Sequence, residues 1–173
     1  MTIAVPLTQP LRDVHRQLLP YVEMLRSTAD LVGIAMTDEV RGLLDEAHGF
    51  LAERLIPHTT AEDRVLYPVL EEAMGAPGAT RAMSLDHVAI GRLADDLGWL
   101  RRQLRDSTVT CDQAMALRRV LYGLHAILKL HLAREEETLI PMLDGWLTPR
   151  RAAVLFHDIA EAEATAAAAS RAA

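Results

Sequence analysis

The sequence predicts an all-α protein, an antiparallel up-down four-helix bundle followed by a short C-terminal helical tail. Three observations carry this expectation. Leu, Ala, Arg and Glu dominate a 173-residue chain that is 50% apolar and only 4% aromatic, and the β-branched and aromatic runs that mark strands are missing. Apolar residues recur at spacings of three and four along four long stretches, the period of a helix with one buried face. The chain also repeats itself: HTTAEDRVLYPVL at 58–70 aligns without gaps on HLAREEETLIPML at 131–143, so its two halves read as two copies of one helical hairpin.

The first helix is expected over about 8–32, with Thr8 as N-cap, Pro10 just inside, and a seam of Leu11, Leu18, Val22, Leu25, Ala29 and Val32. The second follows Thr37 over about 38–74, with Leu44, Leu51, Leu55, Val65 and Val69 inward, until GAPG at 75–78 breaks it. The third covers about 80–105 with Met83, Ile90, Leu97, Leu100 and Leu104. Thr110 caps the fourth, with Gln113 completing a capping box, and that helix reaches about 144 through Leu121, Leu124, Leu128, Thr138 and Met142. Pro20, Pro57, Pro68 and Pro141 lie inside these patterns, and each should remove a backbone bond and kink its helix. Thr148-Pro149 opens a fifth helix to about Ala164, beyond which ATAAAASRAA is low in complexity, expected to fray and without chemistry of its own. The chain thus divides into a bundle domain at 1–147 and a C-terminal helix and Ala-rich tail at 148–173.

Composition excludes several function classes. The formal charge is −6, and the arginine pairs at 101–102, 118–119 and 150–151 are scattered, which argues against a nucleic-acid partner. No stretch approaches eighteen uninterrupted apolar residues, so no membrane span is expected. The opening MTIAVPLTQP has neither a basic n-region nor an apolar h-region, so no secretory leader is expected. Cys111 is the single cysteine, which rules out a disulfide within the chain and fits a reducing, cytoplasmic compartment.

The informative residues occupy gaps in the seams. The first helix reads 11, 15, 18, 22, and position 15 is histidine; the third reads 83, 87, 90, and position 87 is histidine. The second carries His58 and Glu62 between Leu55 and Val65, and the fourth carries His131 and Glu135 between Leu128 and Thr138. Six metal-ligand residue types therefore point inward where leucine would be expected. Their heights agree as well. His15 and His58 lie about 20 and 23 residues from a turn near 35, and His87 and His131 about 21 and 23 from a turn near 108. Each His-x3-Glu pair shares one helix face. A lone histidine on such a face reads as a hydrogen-bonded core residue. Two carboxylates do not, because burying one unpaired costs several kcal/mol. Neutral imidazole with carboxylate suits iron or manganese.

The ordered set His15, His58-x3-Glu62, His87, His131-x3-Glu135 resembles the hemerythrin-like, HHE cation-binding family over about residues 8–145. The resemblance implies two non-haem iron ions joined by an oxo or hydroxo bridge. It implies Glu62 and Glu135 as bridging carboxylates, and His15, His58, His87 and His131 as terminal ligands. Oxygen-carrying members have a second histidine one turn from the first on the third helix; here Met83 and Gly91 stand one turn either side of His87. One iron is then expected to keep an open position, which favours redox chemistry over reversible oxygen storage.

Other residues read as bystanders. His48 lies ten residues from His58 and reads as a core histidine, His125 faces elsewhere, and His157 is solvated. Tyr67 and Tyr21 fall off the ligand faces of ideal helices, unless Pro68 or Pro20 alters the register and a tyrosinate fills the open position. Met24, Met74, Met115 and Met142 read as gap filler. Asp63, Glu136 and Glu137 read as a solvated face.

Two functions follow. The first is an enzyme, a di-iron protein that breaks down hydrogen peroxide in a catalase-like cycle. The second is an oxygen, nitric oxide or iron sensor or binding protein without turnover, acting through a regulatory protein partner. In both the small partner is hydrogen peroxide, oxygen or nitric oxide.

Overall fold

The seams and breaks become five helices among the described residues, 5–33, 37–104 and 109–172, of the computed structural model. They are α1 (Gln9–Leu31), α2 (37–74), α3 (Arg81–Gln103), α4 (111–146) and α5 (Pro149–Ala172). The expected turns near 35 and 108, and the side chain of Thr37, lie outside the described residues. No described helix is long and apolar enough to cross a membrane. Thr110 caps α4 with the full box, its hydroxyl accepting from the Gln113 N–H. Thr8 sits at the N-cap of α1, but its hydroxyl instead donates to Asp144 Oδ1 at 2.7 Å, because the end of α4 lies beside it.

Two pairs of helices, α1 with α4 and α2 with α3, run in opposite senses. Along α1 and α4, Arg12 meets Glu136, Glu23 meets Lys129, and the Ala29 carbonyl meets Arg118. Along α2 and α3, Asp45 meets Arg101 and Asp63 meets Ser84. α5 packs on α2 and runs to Ala172, beyond the expected end near 164.

Three of the four internal prolines do more than kink. Proline lacks an N–H, so the carbonyl four residues earlier loses its α-helical partner. Ahead of Pro57, Pro68 and Pro141 the helix widens into one π turn: Leu51–Leu55, Glu62–Leu66 and Glu135–Leu139. The N–H groups of Ile56, Tyr67 and Ile140 reach back five residues, to the carbonyls of Leu51, Glu62 and Glu135. Pro20 leaves α1 α-helical and is itself exposed. Each π turn inserts one extra residue, so every later side chain moves round by about 100°. Past the turns that open at Glu62 and Glu135 the expected seam fails, whereas past Leu51–Leu55 the expected His58 and Glu62 are still buried. Val65 and Val69 are half-buried, and Thr138 and Met142 are exposed; Leu66, Tyr67, Leu70, Ile140 and Leu143 fill the core instead.

Two apolar clusters result. One contains Leu18, Leu55, Ile90 and Leu128; the other contains Leu11, Ala61, Met83 and Ile140, and takes Leu147, Ala152, Leu155 and Ile159 from the junction and α5. In each of α1 to α4 the predicted ligands fall where one cluster gives way to the other. The methionines divide: Met83 is buried, Met24 and Met74 are half-buried, and Met115 and Met142 are exposed and fill no gap.

The shifted register is measurable. Leu66→Ala and Leu143→Ala should each cost about 2–5 kcal/mol in denaturant unfolding, and Met142→Ala no more than about 0.5 kcal/mol. A larger loss at Met142 than at Leu143 would mean that α4 keeps an unbroken α register.

Candidate metal centre

The six side chains predicted from the seams meet in one buried layer. All are at most 7% exposed: His15, His58, Glu62, His87, His131 and Glu135. Glu62 lies between two groups. Its Oε1 is 3.0 Å from His58 Nε2 and 3.5 Å from His15 Nε2, while Oε2 is 3.4 Å from His87 Nε2. His87 Nε2 is in turn 3.0 Å from His131 Nε2. Two sets of donors close enough for one cation each follow, His15–His58–Glu62 and Glu62–His87–His131, with Glu62 common to both. Glu135 Oε2 spans the other side, 3.4 Å from His15 Nε2 and 3.6 Å from His131 Nε2.

The donor set fits a cation. His15 Nε2, His58 Nε2, both Glu62 oxygens and Glu135 Oε2 are buried without a hydrogen-bond partner, and polar atoms are rarely left so. Two carboxylates in this layer would cost several kcal/mol without compensating positive charge.

The opposite edge of every imidazole faces a carboxylate. Nδ1 of His15 is 2.8 Å from Glu136, Nδ1 of His58 is 3.0 Å from Glu163, and Nδ1 of His87 is 2.9 Å from Asp63. Nδ1 of His131 is 3.5 Å from Asp86. An Nδ1–H donated outward leaves the Nε2 lone pair directed into the centre, the tautomer a metal requires.

Without a cation these charges lean on one another. Burial works against protonated His58, but Glu62 and Glu163 raise it to about 10. Burial likewise opposes protonated His87, yet Asp63 and Glu62 raise it to about 9. Burial dominates at His131, which is held down at about 4 despite Glu62, with His87 adding to the effect. Burial and the Glu62 charge push the Glu135 carboxyl up to about 8. Burial pushes Glu62 upward too, but the surrounding imidazoles, His58 foremost, hold it well below the ordinary carboxylate range.

The family described as Hemerythrin HHE cation binding domain matches residues 7–143. The chain belongs to this family. It is also similar to the iron-sulfur cluster repair protein YtfE of Edwardsiella ictaluri (strain 93-146), at 28% identity over 133 residues, 76% of this chain and 60% of that protein. The YtfE of Yersinia pestis (strain Pestoides F) is 27% identical over 131 residues, 75% of this chain and 59% of its own length. The chain spans about 60% of the length of these curated relatives. No solved structure matches it.

Within this hemerythrin-like frame the structure corrects several readings. Tyr67 is 2% exposed and inside the cluster, because the π turn at Glu62–Leu66 rotates it inward. Its hydroxyl donates to Glu135 Oε1 at 2.8 Å and lies 3.2 Å from His87 Nε2. Asp63 and Glu136 are not merely solvated; they hold His87 and His15, while Glu137 is exposed as expected. Glu163 escaped notice because nothing in the local pattern of α5 distinguishes it. His48 is half-buried at the close approach of Gly98 rather than in the core, His125 faces Glu23, and His157 is exposed.

The metal-free protein should melt highest near about pH 6. His58 and His87 hold protons more tightly than the unfolded chain does, so their contribution is complete below pH 6.5 and lost as pH rises through about 9 and 10. Glu135 adds a growing penalty between pH 4.5 and about 8. On the acid side, His131 withdraws stability from pH 6.5 down to about 4, and Glu62 withdraws it below 4.5. Metal competes with these protons, so a bound cation should raise the melting temperature most at alkaline pH. Calorimetry from pH 4 to 9 tests both, and a metal-free melting temperature still rising between pH 7 and 9 contradicts the charge arrangement.

Proposed function

We propose that the chain is a non-haem di-iron protein, with His15, His58, Glu62, His87, His131 and Glu135 as ligands. The fold in this reading is an up-down antiparallel four-helix bundle extended by α5. The supporting observation is the sharing of Glu62: each of its oxygens serves a different group of imidazoles, which is what a carboxylate bridging two ions requires. Iron suits this mixture of imidazole and carboxylate, and manganese is the other ion of similar preference.

The favoured reaction is catalase-like: two molecules of hydrogen peroxide give two of water and one of dioxygen, one peroxide being reduced by the electrons of the other. Bound irons supply the two-electron redox chemistry. The protein's own groups shield and orient. All six ligand side chains are nearly sealed from solvent, which strengthens every electrostatic contact inside. Burial and the charges of Glu62 and Glu135 hold the Tyr67 phenol far above its ordinary range, so it keeps its proton. That O–H donates to Glu135 and holds the carboxylate in place, and the hydroxyl oxygen lies beside His87 and His131, where turning about its C–O bond away from Glu135 would offer the proton to the oxygen of a small ligand.

The second reading is a sensor or binding protein for oxygen, nitric oxide or iron without turnover. The likeness to proteins named for iron-sulfur cluster repair favours keeping it, and those proteins extend well beyond the matched stretch.

Metal analysis with an absorption spectrum of freshly purified protein is the first test, with about two irons per chain and an oxo-bridge charge-transfer band expected. Metal content should collapse in His58→Ala and His131→Ala and persist in His48→Ala; equal content in all three removes the ligand assignment. For activity, added peroxide should be consumed with oxygen evolved, azide should inhibit, and Glu62→Ala or Glu135→Ala should abolish turnover. Reversible oxygen binding with peroxide left untouched would replace the enzymatic reading with the second one.

A further inference from the structure

The carboxylates that hold the imidazoles follow the internal repeat, with one break. His15 and His87 are 72 residues apart and Glu62 and Glu135 are 73 apart, so the two halves correspond position by position. Glu136, beside Glu135, holds His15 of the other half, and Asp63, beside Glu62, holds His87. Asp86, beside His87, approaches His131. The equivalent of Asp86 in the first half is position 14, next to His15, and it is valine. Val14 offers His58 no acceptor. It lines instead a cleft of about 440 Å³ between α1, α2 and α5, into which His58 and Glu163 also face.

We propose that Glu163 of α5 replaces this missing carboxylate, making the fifth helix a working part of the metal centre. The inference rests on the metal reading above. Glu163 Oε1 is 3.0 Å from His58 Nδ1, and the acceptor comes from outside the stretch that matches the family, which ends at residue 143. Placement is secured by packing: Ala152, Leu155 and Ile159 of α5 are buried in the second apolar cluster, and Ile159 lies one turn before Glu163. From there Glu163 accepts the Nδ1–H of His58, fixes the ring's rotation and directs Nε2 at the ion shared with His15 and Glu62. It is a positioning residue, and its effect falls on one ion of the two. The ion held by His87 and His131 keeps its own partners, Asp63 and Asp86.

The test is chelator competition on the full-length, iron-loaded chain, comparing Glu163→Ala, Glu163→Gln and the exposed control Glu161→Ala. Glu163→Ala should weaken one of the two ions about 10–100-fold and leave the other at the wild-type value. Glu163→Gln should fall between, since its carboxamide oxygen still accepts the Nδ1–H. Helix content of the metal-free Glu163→Gln protein should stay at the wild-type level, with only a small drop in melting temperature from the charge lost beside His58, and Glu161→Ala should change nothing. Wild-type release of both ions from Glu163→Ala overturns the proposal, and so does equal weakening of both ions. A wild-type chain that binds no iron overturns the metal reading itself, and this inference with it.

Discussion

Two glutamates sit in the middle of an apolar core, and the rest of the structure is arranged around what that costs. Glu62 and Glu135 are each 1% exposed, and a carboxylate so placed needs positive charge nearby. Four imidazoles supply part of it, one from each of α1 to α4, and they occupy the same layer as the glutamates. The layer divides the hydrophobic interior into two clusters that do not merge. Even so, buried carboxylate oxygens remain without partners. That residue of unmet charge is the physical reason to regard the layer as a cation site rather than a polar core network.

Backbone geometry serves the same layer. Glu62 and Glu135 each open a π turn, and each turn is followed two residues later by proline, at Pro68 and Pro141. Because the repeat places these features 73 residues apart, the same device appears in both halves. It gives different results. In the first half the residue rotated inward is Tyr67, a phenol placed against Glu135; in the second it is Ile140, which joins the apolar cluster. The π turn therefore makes a nearly symmetric set of buried donors asymmetric.

A second shell of charge lies around the imidazoles. Glu136, Asp86 and Glu163 are half-buried and Asp63 is exposed, and three of the four also bind an arginine or serine: Glu136 with Arg12, Asp86 with Arg134 and Asp63 with Ser84. Those contacts tie the orientation of the rings to two ordinary ion pairs and a serine hydrogen bond between neighbouring helices. Glu163 belongs to this shell but not to the hemerythrin-like stretch, so α5 contributes to more than the second cluster.

The sequence by itself determined the helices, the six inward donors and their common level. Seam position and distance from the turns are local quantities, and a hairpin repeat carries them across the chain. It misplaced Thr138 and Met142, because an ideal period of 3.6 cannot anticipate a turn with one extra residue. For the same reason it placed Tyr67 off the ligand face. The proline that follows each turn was visible and signalled only that the helix would change. Asp63, Glu136 and Glu163 were decided by tertiary structure alone. Each acts across a helix–helix boundary on an imidazole 24, 121 or 105 residues away, and no periodicity within one helix records which side chain of a neighbour will face it.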